Sequence, residues 1–147
     1  MRLQGTTLIK ADRQTVWDYI TDGEKVAQCA PGVEKIDVIE PRRKFKAVLS
    51  VGFGSVKARF NADIEFTELE APNRAVFRGR GVSSAGVGDA TAEMVLSDAS
   101  DAQVALDWTA DVNLGGTLAS LAARLMGPVT QKLSAQFFEC MKTRIEA

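Results

Sequence analysis

The stretch from Val56 to Phe66 leaves little choice of local structure. Val56, Ala58, Phe60, Ala62, Ile64 and Phe66 occupy every second position, with Lys57, Arg59, Asn61, Asp63 and Glu65 between them. A period of two puts the apolar side chains on one face of a strand and the polar ones on the other. One face is dry and the other wet, which is how an antiparallel sheet reads when it covers something on a single side.

The same period extends in both directions. Val33–Glu40 reads as a strand ending at Glu40-Pro41-Arg42-Arg43, and Phe45, Ala47, Leu49 and Val51 alternate up to a turn at Gly52-Phe53-Gly54-Ser55. Later, Ala71-Pro72-Asn73 turns into Arg74–Val82, Ala85-Gly86-Val87-Gly88 into Asp89–Leu96, and Ser97–Asp101 into Gln103–Leu114. Such short turns imply a meander of hairpins. Residues 2–10 read as an earlier strand. Two short helices follow it: Asp12 caps one bearing Val16, Trp17 and Ile20, and Thr21-Asp22 opens another that ends at Ala30-Pro31-Gly32.

At Gly115-Gly116 the period changes. Leu118, Leu121, Ala122, Leu125, Val129, Leu133, Phe137 or Phe138, Met141 and Ile145 recur at helical spacing. They predict a helix over Thr117–Arg144, about 42 Å long at 1.5 Å per residue. Pro128 cannot donate to the carbonyl of Arg124 and its ring crowds that group, so a kink is expected there.

An amphipathic helix and a six- or seven-stranded sheet must bury each other's apolar faces. The fold class is therefore α+β, with a curved antiparallel sheet wrapped around one long C-terminal helix and two short helices after the first strand. Its inner face mixes small with large: Ala47, Ala58, Ala62, Ala90, Ala92 and Ala110 beside Phe60, Phe66, Phe77, Met94, Leu106 and Trp108, with Gly79 and Gly81. A straight helix does not follow a deeply curved sheet everywhere, so small residues on the concave side leave space. An apolar space of this kind suits a small molecule. The alternative is a filled core of alternating small and large residues. The lining set is Phe60, Ile64, Phe77, Ala92, Met94, Leu106, Trp108, Ala110, Leu121, Leu125 and Val129, each of which is also a candidate for ordinary core. The indole N–H of Trp108 needs a partner when buried and could orient a carbonyl oxygen.

Composition narrows the chemistry. The 147 residues make one domain, residues 1–147, and a net charge of −1 gives no field to draw in nucleic acid. Histidine is absent, which removes the commonest general base and zinc ligand. No metal spacing or cofactor motif is present, and the GxG pairs at Gly79, Gly81, Gly86 and Gly88 do not open a helix as a dinucleotide site requires. Cys29 and Cys140, without CxxC spacing, read as two free thiols of a reducing compartment, a disulfide being the alternative. The start of the chain lacks the apolar region of a secretory signal, and no apolar run is long enough to span a bilayer. A cytoplasmic domain is expected. A second candidate surface is the hairpin tip at Phe53 with the basic residues Arg42, Arg43, Lys44, Lys46, Lys57 and Arg59, which could touch an anionic membrane or a partner; a plain turn and a solvated face are the alternatives.

Val16-Trp17-Asp18-Tyr19-Ile20, Cys29-Ala30-Pro31-Gly32-Val33-Glu34-Lys35-Ile36, Val51-Gly52, the glycines of the fifth and sixth strands, Leu114-Gly115-Gly116 and Gln136-Phe137-Phe138 together resemble the carbon monoxide dehydrogenase G-subunit family. That family belongs to the START-like (SRPBCC) helix-grip superfamily of polyketide cyclases and birch-pollen allergens. The resemblance covers essentially the whole chain. It implies a helix-grip fold with an apolar cavity between sheet and helix. It also implies association with carbon monoxide dehydrogenase at the cytoplasmic membrane, carrying a lipid or isoprenoid quinone without catalysis. The competing readings are an assembly or membrane-recruitment module, and a cyclase- or hydrolase-type enzyme in which Tyr19, Arg124 and acidic residues act in the cavity.

Overall fold

The elements follow in the order the periodicity predicts. They are β1 (Arg2–Ile9), α1 (Arg13–Ile20), α2 (Gly23–Cys29), β2 (Val33–Glu40), β3 (Lys44–Phe53), β4 (Val56–Glu70), β5 (Arg74–Ser83), β6 (Gly86–Ala99), β7 (Gln103–Leu114) and α3 (Thr117–Ile145). The structure is a computed structural model that describes residues 1–53 and 55–146. Its strands form one antiparallel sheet ordered β1-β7-β6-β5-β4-β3-β2. β2 to β7 are a meander, while β1 pairs with β7, so the chain must cross the whole sheet between β1 and β2. α1 and α2 make that crossing.

Both short helices start where a carboxylate can hold their free N–H groups. Asp12 Oδ1 accepts from the Thr15 N–H at 2.7 Å. Asp22 Oδ1 accepts from the Glu24 and Lys25 N–H groups at 3.1 and 3.2 Å.

The long helix is fastened at its two ends. At the N-terminal end Gly116 has φ +67°, and a Cβ there would lie 2.9 Å from the Ala85 carbonyl oxygen, so the junction requires glycine. The Thr117 hydroxyl and the Leu118 N–H both donate to that oxygen, at 2.8 and 3.3 Å. At the C-terminal end Met141 is fully buried, the Lys10 N–H donates to Glu146 Oε2 at 2.9 Å, and Arg144 donates to Gln28 Oε1 at 2.7 Å.

Cys29 and Cys140 are not free thiols. They form a disulfide with their Cα atoms 5.5 Å apart, joining α2 to the last turns of α3. A separation of 111 residues conceals this pairing from any local reading, because only the packing of α2 against α3 brings the two together. The helix also continues through Pro128 as a single element.

Apolar side chains gather in two clusters rather than one. The larger holds Ile9, Val16, Trp17, Ile20, Phe45, Phe66, Leu96, Val104, Leu106 and Met141. The smaller holds Ala58, Phe60, Leu118 and Ala122, with Leu49, Val51, Leu114, Leu121, Leu125 and Val129 packed against it. Each end of α3 serves one cluster. Large side chains buried there contribute about 1.5–3 kcal/mol each.

Candidate ligand-binding site

Strand register explains the gap between the two clusters. Side chains that meet across the ladder share a face, so the pairing can be followed inward strand by strand. Ala47, Ala62, Gly81 and Gly88 lie opposite one another in sequence across β3, β4, β5 and β6. In the next row Ile64, Gly79 and Ala90 are opposed, and in the next Phe77, Ala92 and Ala110. A band of small residues thus crosses the concave face between the clusters. A Cβ on Gly79 would make ordinary contact with Ile64 Cγ1 at 3.8 Å and the Asp63 carbonyl oxygen at 3.9 Å, so a side chain there is not crowded.

The helix does not fill the space above this band. Among the described residues of α3, Leu118, Ala122 and Met141 are buried, and none between Ala122 and Met141 is. That interval is about 28 Å of helix at 1.5 Å per residue. Leu125, Val129, Leu133, Phe137 and Phe138 on it remain half-buried, as do Ile64, Phe77, Met94, Trp108 and Ala110 on the sheet. Ala47, Ala62 and Ala92 of the band are buried while both apolar walls keep some exposure, which makes the interval between sheet and helix the candidate trough.

The lining residues expected from the sequence divide between the walls. Ile64, Phe77, Met94 and Trp108 belong to the larger cluster, and Leu121, Leu125 and Val129 to the smaller. Ala92 and Ala110 lie on the band of small residues. Leu106, at 1% exposure, is covered by protein and has no surface left for a ligand; Phe60, at 7%, lies close over Gly81 and packs as core. Leu133, Phe137 and Phe138 border the trough although the lining set omits them. Their helical phase with Leu125 and Val129 carries that signal.

Aromatic rings mark the end of the trough nearer Met141. Trp108 lies 6.2 Å from Phe138, which stacks edge-on against Phe137 at 5.2 Å. Phe45, Phe66 and Phe77 form a second edge-on series at 6.1 and 5.8 Å. The Nε1 edge of Trp108 is turned toward Gly5 of β1 rather than toward the middle of the trough.

Two hollows of definable volume lie elsewhere. One, of about 460 Å³, is on the sheet around Lys44, Lys46, Asp63, Glu65, Arg78, Arg80 and Asp89. The other, of about 530 Å³, lies beside Gln136, Glu139, Cys140, Thr143 and Arg144 at the end of α3. Of the expected lining residues only Ile64 borders either one. Charged walls make the first hollow a poor apolar site despite its volume; the trough is the better candidate because its walls are apolar.

The convex face carries charge in alternation. Asp37, Lys46, Asp63, Arg80 and Asp89 stand opposite one another across five strands, and Glu40, Lys44, Glu65 and Arg78 across four. Opposite charges directly across a ladder attract, so Lys44 and Lys46 of the expected basic strip are offset by the carboxylates beside them. Its members also separate. Lys57 and Arg59 lie near the β3–β4 tip, where Arg59 pairs with Glu34 at 2.8 Å. Arg42, Arg43, Lys44 and Lys46 lie toward the opposite end of β3, where Arg42 donates to the Thr21 hydroxyl and to the Asp18 carbonyl. The side chain of Phe53, and Gly54, fall outside the described residues.

The groups considered for catalysis lie apart. Tyr19 is buried; its O–H donates to the Lys25 carbonyl at 3.1 Å and lies 3.2 Å from Cys29 Sγ, and burial pushes its pKa above the ordinary phenol value. Arg124 is exposed. No helix of the described residues is long and apolar enough to cross a membrane.

Known proteins agree with this geometry. A conserved protein from Geobacillus kaustophilus superposes with a TM-score of 0.90 at 25% identity, covering 99% of this chain and 95% of that one. The Zhui aromatase/cyclase from Streptomyces sp. R1128 gives 0.69 at 16% identity, over 99% and 93% of the two chains. A START superfamily protein from Mycobacterium smegmatis gives 0.65 at 11% identity, over 99% and 97%. No match is found among curated proteins. The family pattern of the carbon monoxide dehydrogenase G-subunit (CoxG) matches residues 5–146. With nearly its whole length matched and a curved seven-stranded sheet around one long helix, the chain belongs to the CoxG family of carbon monoxide dehydrogenase and has the START-like helix-grip fold.

Proposed function

We propose that this protein binds a neutral apolar molecule, a lipid or isoprenoid quinone, in the trough between α3 and the sheet. It serves as a non-catalytic accessory to carbon monoxide dehydrogenase or a related molybdenum hydroxylase, working at the cytoplasmic face of the membrane. The observation that carries this reading is that, among the described residues of α3, none between Ala122 and Met141 is buried, opposite a band of alanine and glycine. Two apolar walls left in water are costly, and an apolar occupant removes them from solvent at about 25 cal/mol per Å². The family supports the accessory role. Charged strand residues alternate to the convex face, which supports binding over acid–base chemistry in the trough.

Titration with a menaquinone analogue tests the proposal. Trp108 borders the trough, so its emission, isolated in a Trp17→Phe background, is expected to be quenched saturably at one quinone per chain. Absence of quenching by any isoprenoid quinone would count against the reading.

A second reading is a membrane-recruitment module acting through Phe53, Lys57 and Arg59. Val56 and Val82, 39% and 50% exposed at the same end of the sheet, favour it. Phe53→Asp is then expected to abolish vesicle binding and to leave quinone uptake intact.

A further inference from the structure

α2 rests on the fold through Val26, half-buried against the larger cluster, through Gly23 close against the Phe45 ring, and through the Tyr19 hydroxyl on the Lys25 carbonyl. Cys29 is its one buried residue. The helix lies between edge strand β2 and α3 and touches both, so it bridges sheet edge and long helix on that side of the trough. Besides the disulfide, the Arg144–Gln28 hydrogen bond links α2 to α3, and it is exposed to solvent. An exposed bond between two long side chains holds little. Between α2 and α3 the covalent bond is the stronger of the two links.

The two sulfurs differ in access. Cys29 is 5% exposed, whereas Cys140 borders the solvent-open hollow at the end of α3. An external thiolate can therefore reach Cys140 first. On the shielded side the Tyr19 hydroxyl stands 3.2 Å from Cys29 Sγ, within reach of a sulfur that acquires charge.

We propose that the Cys29–Cys140 bond is a redox latch on α2, opened by a dithiol reductant, so that ligand exchange at the trough follows the thiol–disulfide state of the surroundings. The coupling to ligand rests on the function proposed above. In the first step a thiolate of the reductant attacks Cys140 Sγ, forming a mixed disulfide, and the electron pair of the broken S–S bond leaves on Cys29. The Tyr19 O–H turns from the Lys25 carbonyl to that thiolate. The second thiol of the reductant then attacks its own sulfur in the mixed disulfide and releases Cys140. Two electrons and two protons pass to the protein, giving two thiols, and the reductant closes as a disulfide. Freed at Cys29, α2 can leave the β2 edge and widen that side of the trough.

Hydrogen exchange of the full chain, with and without dithiothreitol, reads the latch without any ligand. Denatured, unreduced protein is expected to show the Cys29–Cys140 cross-link and no free thiol. On reduction, amides of residues 23–29 are expected to exchange about tenfold faster by local opening, while those of β4 to β7, which exchange by global unfolding, follow the loss of overall stability and remain the slowest in the chain. Release of a pre-bound menaquinone analogue is expected to speed up about fivefold in parallel, by the same local opening. The Cys29→Ser/Cys140→Ser double variant is expected to match reduced protein in both readings. Free thiols before reduction, unchanged exchange in α2, amides of β4 to β7 that become as fast as those of α2, or unaltered quinone release would each overturn the proposal. Faster exchange in α2 with no quinone bound in either state leaves the latch standing and rejects the ligand reading instead.

Discussion

Trp108 and Gly5 are partners across the β1–β7 ladder, and the indole lies so close over residue 5 that a Cβ there would sit 2.8 Å from Nε1. Glycine at this position lets the ring rest against β1 while it also reaches Phe138 on α3. One wall of the trough therefore depends on a residue that never touches it.

Gly5→Ala is expected to push the indole off β1. Overpacking of this kind costs about 1–3 kcal/mol, to be read as a lower urea midpoint. The near-ultraviolet dichroism of Trp108 should change with it, and quinone affinity should fall.

Gly79 invites the opposite experiment. A Cβ there meets only Ile64 Cγ1 at 3.8 Å and the Asp63 carbonyl at 3.9 Å, both ordinary contacts, so a larger side chain is expected to occupy the trough. Gly79→Leu is expected to weaken quinone binding at least tenfold. Stability should hold within about 1 kcal/mol, since glycine is itself a poor strand residue. Equal losses of binding and stability would mean that residue 79 faces packed core.

The disulfide closes a loop of 111 residues' separation. Loss of that constraint on the unfolded chain is expected to destabilise Cys29→Ser/Cys140→Ser by about 3–5 kcal/mol, measured by denaturation of oxidised wild type and variant side by side.

Asp12 supplies a pH signature. The Thr15 hydroxyl and backbone N–H hold its carboxyl below the ordinary value. Because the folded pKa is the lower one, the stabilisation is complete above the unfolded value of about 3.9 and is lost as pH falls through the folded pKa. The stability difference between wild type and Asp12→Ala should therefore be constant from neutral pH down to the unfolded pKa and shrink below it. A constant difference throughout would show that the cap does not depend on charge.

Periodicity located β4, β7 and α3 because each of them carries its apolar residues on one face. β7 begins and ends where alternation begins and ends, and α3 starts at the glycine pair that stops the strands. What escaped the sequence was long-range. Cys29 and Cys140 carry no local mark of their pairing. The basic residues around β3 look like one strip until register sets Asp37, Asp63 and Glu65 opposite Lys46 and Lys44. The site was partly legible. Small residues on the inner face mark where the trough is proposed, yet whether Leu106 borders it or lies beneath it depends on long-range packing over β7, which no local period encodes. Leu133, Phe137 and Phe138 were in phase with the trough all along.

Whether the trough holds an apolar guest is tested most directly by native mass spectrometry of the protein isolated without detergent, followed by solvent extraction of any bound species. One neutral hydrophobic molecule per chain, displaced in Gly79→Leu, is the predicted result. A bare polypeptide mass that takes up no isoprenoid quinone or lipid on incubation would contradict it.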